Sequence, residues 1–197
     1  MKRIAPMLLT VLLAGLVHAQ THNPEASVQQ KFVSGGTIRL HLEAGGYTIS
    51  PVDADNIVVT YRTHSESSLK QVKVAIRPGG SNADIVVADT PNNNFTAIIE
   101  VPRQSNLWVR LSAGELIVES VEGDKDLELR AGHMQVDIPH PEQYGHCDAS
   151  VLAGSLEASA FDLSKGGLFR SFERQGPGKY RLHAHVMTGE VDLRGSD

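Results

Sequence analysis

Leu111-Ser-Ala-Gly-Glu-Leu-Ile-Val118 is followed eighteen positions later by Leu129-Arg-Ala-Gly-His-Met-Gln-Val136. Aligned on glycine, both copies read small-Gly-x-h-x-h, with h an apolar residue: Gly114 leads to Leu116 and Val118, and Gly132 to Met134 and Val136. The looser Gly-x-h-x-h pattern also starts at Gly36, Gly45, Gly145, Gly154, Gly178 and Gly189, against about three matches expected by chance from the abundance of glycine and apolar residues. Each copy reads as a corner followed by a strand. Glycine accepts positive φ without a Cβ clash, so it suits the point where the chain turns. The alternate h residues then face inward, while Glu115, Gln135, Glu157 and Asp192 face solvent. One such unit cannot bury its apolar side alone, and stacked units make a continuous core. The spacings of 18 and 22 between Gly114, Gly132 and Gly154 fit one coil of two or three short strands. The longer interval from Gly154 to Gly189 leaves Lys165–Phe172 to fill a degenerate unit.

Working outward, period-two alternation begins at Phe32, with Ile38, Leu40 and Leu42 on one side and Arg39 and His41 on the other. Short strands rich in Val, Ile and Thr recur at Ile57–Tyr61, Val72–Ile76, Ile85–Ala88, Phe95–Val101 and Leu107–Leu111. Turn chemistry separates them at Pro-Gly-Gly 78–80 and Thr-Pro-Asn-Asn-Asn 90–94. No stretch beyond the N-terminus shows helical apolar spacing, so the expected class is all-β with at most a helical turn.

The N-terminus reads as a cleaved secretory signal peptide over residues 1–19: Lys2 and Arg3, an apolar run from Met7 to Val17, and Val17-His18-Ala19 at the cleavage point. The run is too short for a membrane anchor, so no transmembrane anchor is expected in the mature chain. The polar residues 20–30, including Pro24, read as a flexible leader, and 31–195 as a single all-β domain. Removing residues 1–19 leaves 16 basic against 23 acidic side chains, a net charge of −7, which argues against nucleic-acid partners. A lone cysteine excludes an intramolecular disulfide even in an oxidising periplasmic or extracellular location.

Beyond these residues, Ser-Ala-Gly-Glu-Leu-Ile-Val-Glu-Ser at 112–120, its imperfect copies at 130–137 and 152–159, and Gly-Lys-Tyr-Arg-Leu with Thr-Gly-Glu-Val-Asp-Leu across 178–193 resemble the bacterial putative-adhesin domains of unknown function. The resemblance spans most of 32–194 and implies a secreted β-solenoid or β-roll, with irregular antiparallel strands at its N-terminal side. It implies no catalytic residues and no cofactor. The signal peptide, the repeat and the lack of a convergent site in the sequence lead to the expectation of a non-enzymatic role in adhesion, surface interaction or envelope maintenance, with an envelope protein or glycan as partner.

Few residues suggest chemistry. His183 and His185 share one strand face, opposite Leu182, Ala184 and Val186, and make a metal pair only if further ligands converge on them in space. Arg181 on the same face opposes a cation. His133, His140, His146 and Cys147 cluster in sequence, but neighbours in an extended chain point to opposite faces, so Cys147 reads as a small buried group with Ala149 and Val151. Cleavage after Ala19 exposes Gln20-Thr21-His22, a Cu(II)-type terminal chelate through the amine, two backbone nitrogens and the His22 imidazole, unless Gln20 cyclises. The dense carboxylates Glu115, Glu119, Glu122, Asp124, Asp126 and Glu128 supply a glycosidase or lyase pair only if two project into one groove; outward positions on such strands are ordinarily charged. Trp108 faces away from Leu107 and Val109, as a capping contact or a ligand platform. With the repeat assigned to architecture, the irregular segments 138–147 and 165–178 are the expected places for a functional site.

Overall fold

The computed structural model describes residues 23–161 and 163–195, and of residues 163–169 the backbone only. Twelve strands follow one another: β1 (Glu25–Lys31), β2 (Thr37–Leu42), β3 (Gly45–Val52), β4 (Asn56–Arg62), β5 (Lys73–Gly79), β6 (Asn82–Ala88), β7 (Thr96–Pro102), β8 (Asn106–Val118), β9 (Lys125–Asp137), β10 (Tyr144–Ala158), β11 (Leu163–Gln175) and β12 (Tyr180–Arg194). A single-turn helix, α1 (Glu66–Leu69), and 3₁₀ turns at Pro141–Gln143 and Ser159–Phe161 are the other elements. The class is all-β, as the alternation predicts.

All twelve strands join one mixed, mostly parallel sheet in the order β1-β4-β7-β3-β8-β9-β12-β10-β11, with β2 against β6 and β8, and β5 against β6. The long strand β8 is where two sets of short strands meet. Its first half pairs with β2 (Leu107 beside Ile38) and its second with β3 (Leu116 beside Tyr47). Beyond it, β9, β12 and β10 stack in parallel along their whole length.

Each long parallel strand, β8, β9, β12 and β10, changes the parity of its inward side at its centre. In β8, Leu107, Val109 and Leu111 are buried, then Leu116 and Val118; in β9, Leu127 and Leu129, then Met134 and Val136; in β12, Leu182, Ala184 and Val186, then Val191 and Leu193. The switch falls on a column of glycines paired across the strands, Gly45-Gly114-Gly132-Gly189-Gly154. Four of them have positive φ, 118° at Gly114, 135° at Gly132, 137° at Gly189 and 140° at Gly154. A Cβ on Gly132 would lie 1.8 Å from the Gly114 carbonyl oxygen, and one on Gly154 1.7 Å from that of Gly189. The column bends every long strand at the same level, so both arms present their apolar sides to one continuous core.

Four expectations are corrected. The consecutive copies at Gly132 and Gly154 are not neighbours: β12 lies between β9 and β10, so Gly189 separates them. The segment 165–172 is not a further parallel unit; it belongs to β11, an antiparallel strand closing the edge along β10. Within the expected leader, Glu25–Lys31 is instead the edge strand β1, antiparallel to β4 and tied by an Arg62–Glu25 ion pair. Ala26 and Val28 pack against the core, and the remaining side chains are polar because a sheet edge tolerates charge and is protected by it. Asp192, read as solvent-facing, is 9% exposed and ion-paired to Arg194. The signal-peptide residues and the Gln20-Thr21-His22 chelate lie outside the described residues.

Candidate functional site

Because the glycine column locks the register, outward side chains of the first arms line up in rows about 4.8 Å apart from strand to strand. One row reads Trp108 on β8, Asp126 on β9, His183 on β12 and Asp148 on β10. The next, two residues along, reads Arg110, Glu128, His185 and Ser150. Their inward neighbours are core residues such as Leu127, Leu129, Ala184 and Val186, so the rows stand on packed backbone.

A polar network runs across these rows. The Gln175 amide lies 2.7 Å from Nδ1 of His146, whose Nε2 is 3.3 Å from Asp148 Oδ1. The other Asp148 oxygen bonds Nδ1 of His183. Ser150 Oγ lies 2.8 Å from Nδ1 of His185. On the far side, Arg110 reaches Asp126 through Nη1 at 2.9 Å and Glu128 through Nε at 3.1 Å. Its guanidinium stacks 3.9 Å from the Trp108 ring centroid, and the His41 ring lies 5.0 Å from the same indole. Asp126 Oδ1 is out of contact with water and accepts no aligned hydrogen bond, so the nearby Arg110 charge alone compensates it. Donor atoms of Asp126, Glu128 and His183 lie within 4.8 Å of one another. Beside the second row opens a groove of ≈ 720 Å³ lined by His41, Arg110, Glu128, Arg130, His185 and Met187 among others.

The structure therefore gives His183 the further donors that sequence alone could not supply, and they come from the carboxylate-rich segment of β9. Trp108 is a stacking platform on the outer face, and its present partners are Arg110 and His41. The other histidine and cysteine candidates do not converge. His133 faces Glu115 at 3.5 Å on the second arm, and His140 faces Glu142 at 3.3 Å in the 3₁₀ turn. Cys147 points into the core at 2% exposure while His146 points out. Of the segments expected to be irregular and to hold a site, 138–147 and 165–178 contribute His146 and Gln175, and these too lie on strands, in β10 and at the end of β11. Arg110, Asp148 and Ser150 carry no sequence signal of their own, because their partners are brought to them by register alone.

Burial pushes the Cys147 thiol up from 9.0 to about 11. Since the thiolate is the reactive form, the native chain should not react with an aromatic disulfide reagent at pH 8 and should titrate one thiol after denaturation. Rapid stoichiometric reaction of the native protein would contradict this placement.

Fold and outer-face geometry together define an all-β scaffold that displays side chains on a stack of parallel strands. No family model and no curated relative matches the chain. Among solved structures it is similar in fold to a putative cell adhesion protein from Clostridium sporogenes, at 10% identity and a TM-score of 0.57, covering 88% of this chain and 100% of that one. A putative adhesin from Bacteroides fragilis shares 9% identity at a TM-score of 0.33, covering 87% of this chain and 97% of that one. The likeness to the Clostridium sporogenes protein is one of fold alone. Among the described residues no helix is long and apolar enough to cross a membrane.

Proposed function

We propose that this chain is an exported, non-enzymatic β-solenoid domain that acts in surface interaction or envelope maintenance and binds an envelope glycan or protein through the outer face of its first arms. The observation that carries this reading is the pair of rows holding Trp108, Arg110 and the imidazole–carboxylate network beside the groove. An aromatic platform with planar hydrogen-bonding groups on rigid strands is suited to sugars and peptides. The fold shared with the Clostridium sporogenes protein supports the scaffold. Export rests on the signal-peptide pattern of residues 1–19.

The competing reading, a carbohydrate-active enzyme, requires two carboxyls in one groove, of which one keeps its proton as general acid. Asp126 and Glu128 do converge, but one arginine ion-pairs with both, so each carboxylate is already engaged. Binding to purified peptidoglycan, lipopolysaccharide and a glycan array is the test. Saturable binding to one of them, weakened at least tenfold by Trp108→Ala with the fold retained and without release of reducing ends, is the expected result. Turnover of the bound glycan would favour the enzyme, and binding indifferent to Trp108→Ala would remove the face from the account.

A further inference from the structure

We infer that the same outer face holds a divalent transition-metal site of the zinc class, with His183, Asp126 and Glu128 as protein ligands. One donor atom from each lies within 4.8 Å of the others, and the three belong to adjacent parallel strands paired Asp126 to His183 and Glu128 to His185. A tetrahedral metal with bonds of about 2.0–2.2 Å holds its donors roughly 3.4 Å apart, so side-chain rotation must draw these three together from their present spacing to close the site. The ligands stand on a bent stack whose register is fixed on both arms, so little backbone ordering remains for binding to impose.

The surroundings of His183 have the form that metal-binding imidazoles require. The Asp148 carboxylate on Nδ1 places the ring proton there and leaves the lone pair on Nε2. Asp148 is itself held from the other side by His146, which Gln175 orients in turn. His185, with Nδ1 against Ser150, stands next to Glu128 in the second row but outside the three-residue cluster. Two carboxylates with imidazole nitrogen favour Zn²⁺ or a similar borderline ion over Ca²⁺ or Mg²⁺, which prefer all-oxygen sites. Asp126 Oδ1 is shielded from water and without an aligned hydrogen bond, so this carboxylate has an unmet acceptor.

Arg110 is the competitor. It now ion-pairs with both carboxylates, leaving one net negative charge, and a bound metal displaces it. The displaced guanidinium keeps the Trp108 ring as a partner, so the exchange does not strand a charge. Removing Arg110 therefore tightens metal binding, a result that a merely structural charge cluster would not give.

The test is calorimetric titration of the mature chain with zinc chloride. One Zn²⁺ per chain is expected, with affinity weakened at least tenfold by His183→Gln and by Asp126→Asn, strengthened by Arg110→Gln, and unchanged by His140→Gln, a surface substitution outside the site. Circular dichroism establishes that each variant is folded. In the unsubstituted chain, long-range proton–nitrogen spectra should show the His183 imidazole shifting with zinc, which keeps the test decisive if a variant fails to fold. No zinc binding, or binding that leaves His183 resonances and the two ligand variants unaffected, overturns the site. The surface-interaction reading stands or falls separately, because glycan binding is measured in the absence of metal.

Discussion

A chain carrying Gly132→Ala is expected to lose more than about 4 kcal/mol of stability, and Gly132→Val to fail to fold. The first cause is conformational: φ at Gly132 is 135°, where residues with a Cβ are strained. The second is steric and larger. The added Cβ falls 1.8 Å from the Gly114 carbonyl oxygen and 2.8 Å from its carbonyl carbon, both backbone atoms of the neighbouring strand. A flexible side chain would rotate away; a ladder carbonyl moves only with its strand. Gly114 is in turn packed against Gly45, and Gly189 against Gly132, so the displacement spreads along the column. Gln135→Lys, three residues on, is the control. Gln135 is partly exposed and bonds only the Asp137 carboxylate, so its substitution should stay within about 0.5 kcal/mol. Equal small shifts in Tm for Gly132→Ala and Gln135→Lys would show that the column does not bend the sheet.

The second large effect belongs to Lys125, which occupies an inward position between Leu107 and Leu182 at 2% exposure. Its ammonium donates to the Val121 carbonyl at 2.6 Å, the Gly123 carbonyl at 3.3 Å and the Tyr144 hydroxyl. Lys125→Ala removes all three donors and leaves a void under Tyr144, for an expected loss of about 3 kcal/mol.

Lys125 also titrates measurably. Burial lowers its pKa from 10.5 to about 8, so between those values the unfolded chain carries more protons and stability rises with pH. Cys147 acts in the opposite sense from pH 9.0 to about 11, its folded value being the higher, and the raised Tyr47 and Tyr144 hydroxyls oppose folding above about pH 10. From pH 8 to 9 the lysine dominates, and its contribution should grow by about 1 kcal/mol. Denaturant titrations of the unsubstituted chain and Lys125→Met at both pH values check this. The gain should appear only where the lysine is present, and parallel pH profiles would contradict its burial as a cation.

What the sequence carries and what it hides follow from the range of the interactions. The Gly114 and Gly132 copies are local patterns, and the corner at each glycine, the alternating inward residues and the all-β class could be read from them directly. Strand order is not local. Nothing in Thr188-Gly-Glu-Val says that β12 inserts between β9 and β10, because any copy of the pattern offers the same apolar residues to either neighbour. The polar strand β1 has too little apolar alternation to be distinguished from a leader; its place depends on β4. Lys125 interrupts an apolar series, and only the carbonyls that Val121 and Gly123 turn toward it make the interruption intelligible.

The candidate site was hidden for the same reason. Asp126 and His183 are 57 positions apart and meet only through the β9–β12 register. Sequence proximity instead drew attention to His140, His146 and Cys147, which alternation and the 3₁₀ turn send in different directions.

Everything proposed for the outer face depends on β12 lying between β9 and β10, and disulfide trapping in a Cys147→Ala background tests that order. Ala131 and Thr188 are exposed partners across β9 and β12, whereas Ala131 and Ala153 stand two strands apart. Neighbouring Cα atoms lie within disulfide reach and next-nearest ones do not. Under mild oxidation the Ala131→Cys/Thr188→Cys chain should cross-link nearly completely and the Ala131→Cys/Ala153→Cys chain should not. The reverse outcome would place Gly132 beside Gly154, separate His183 from Asp126, and dissolve the site.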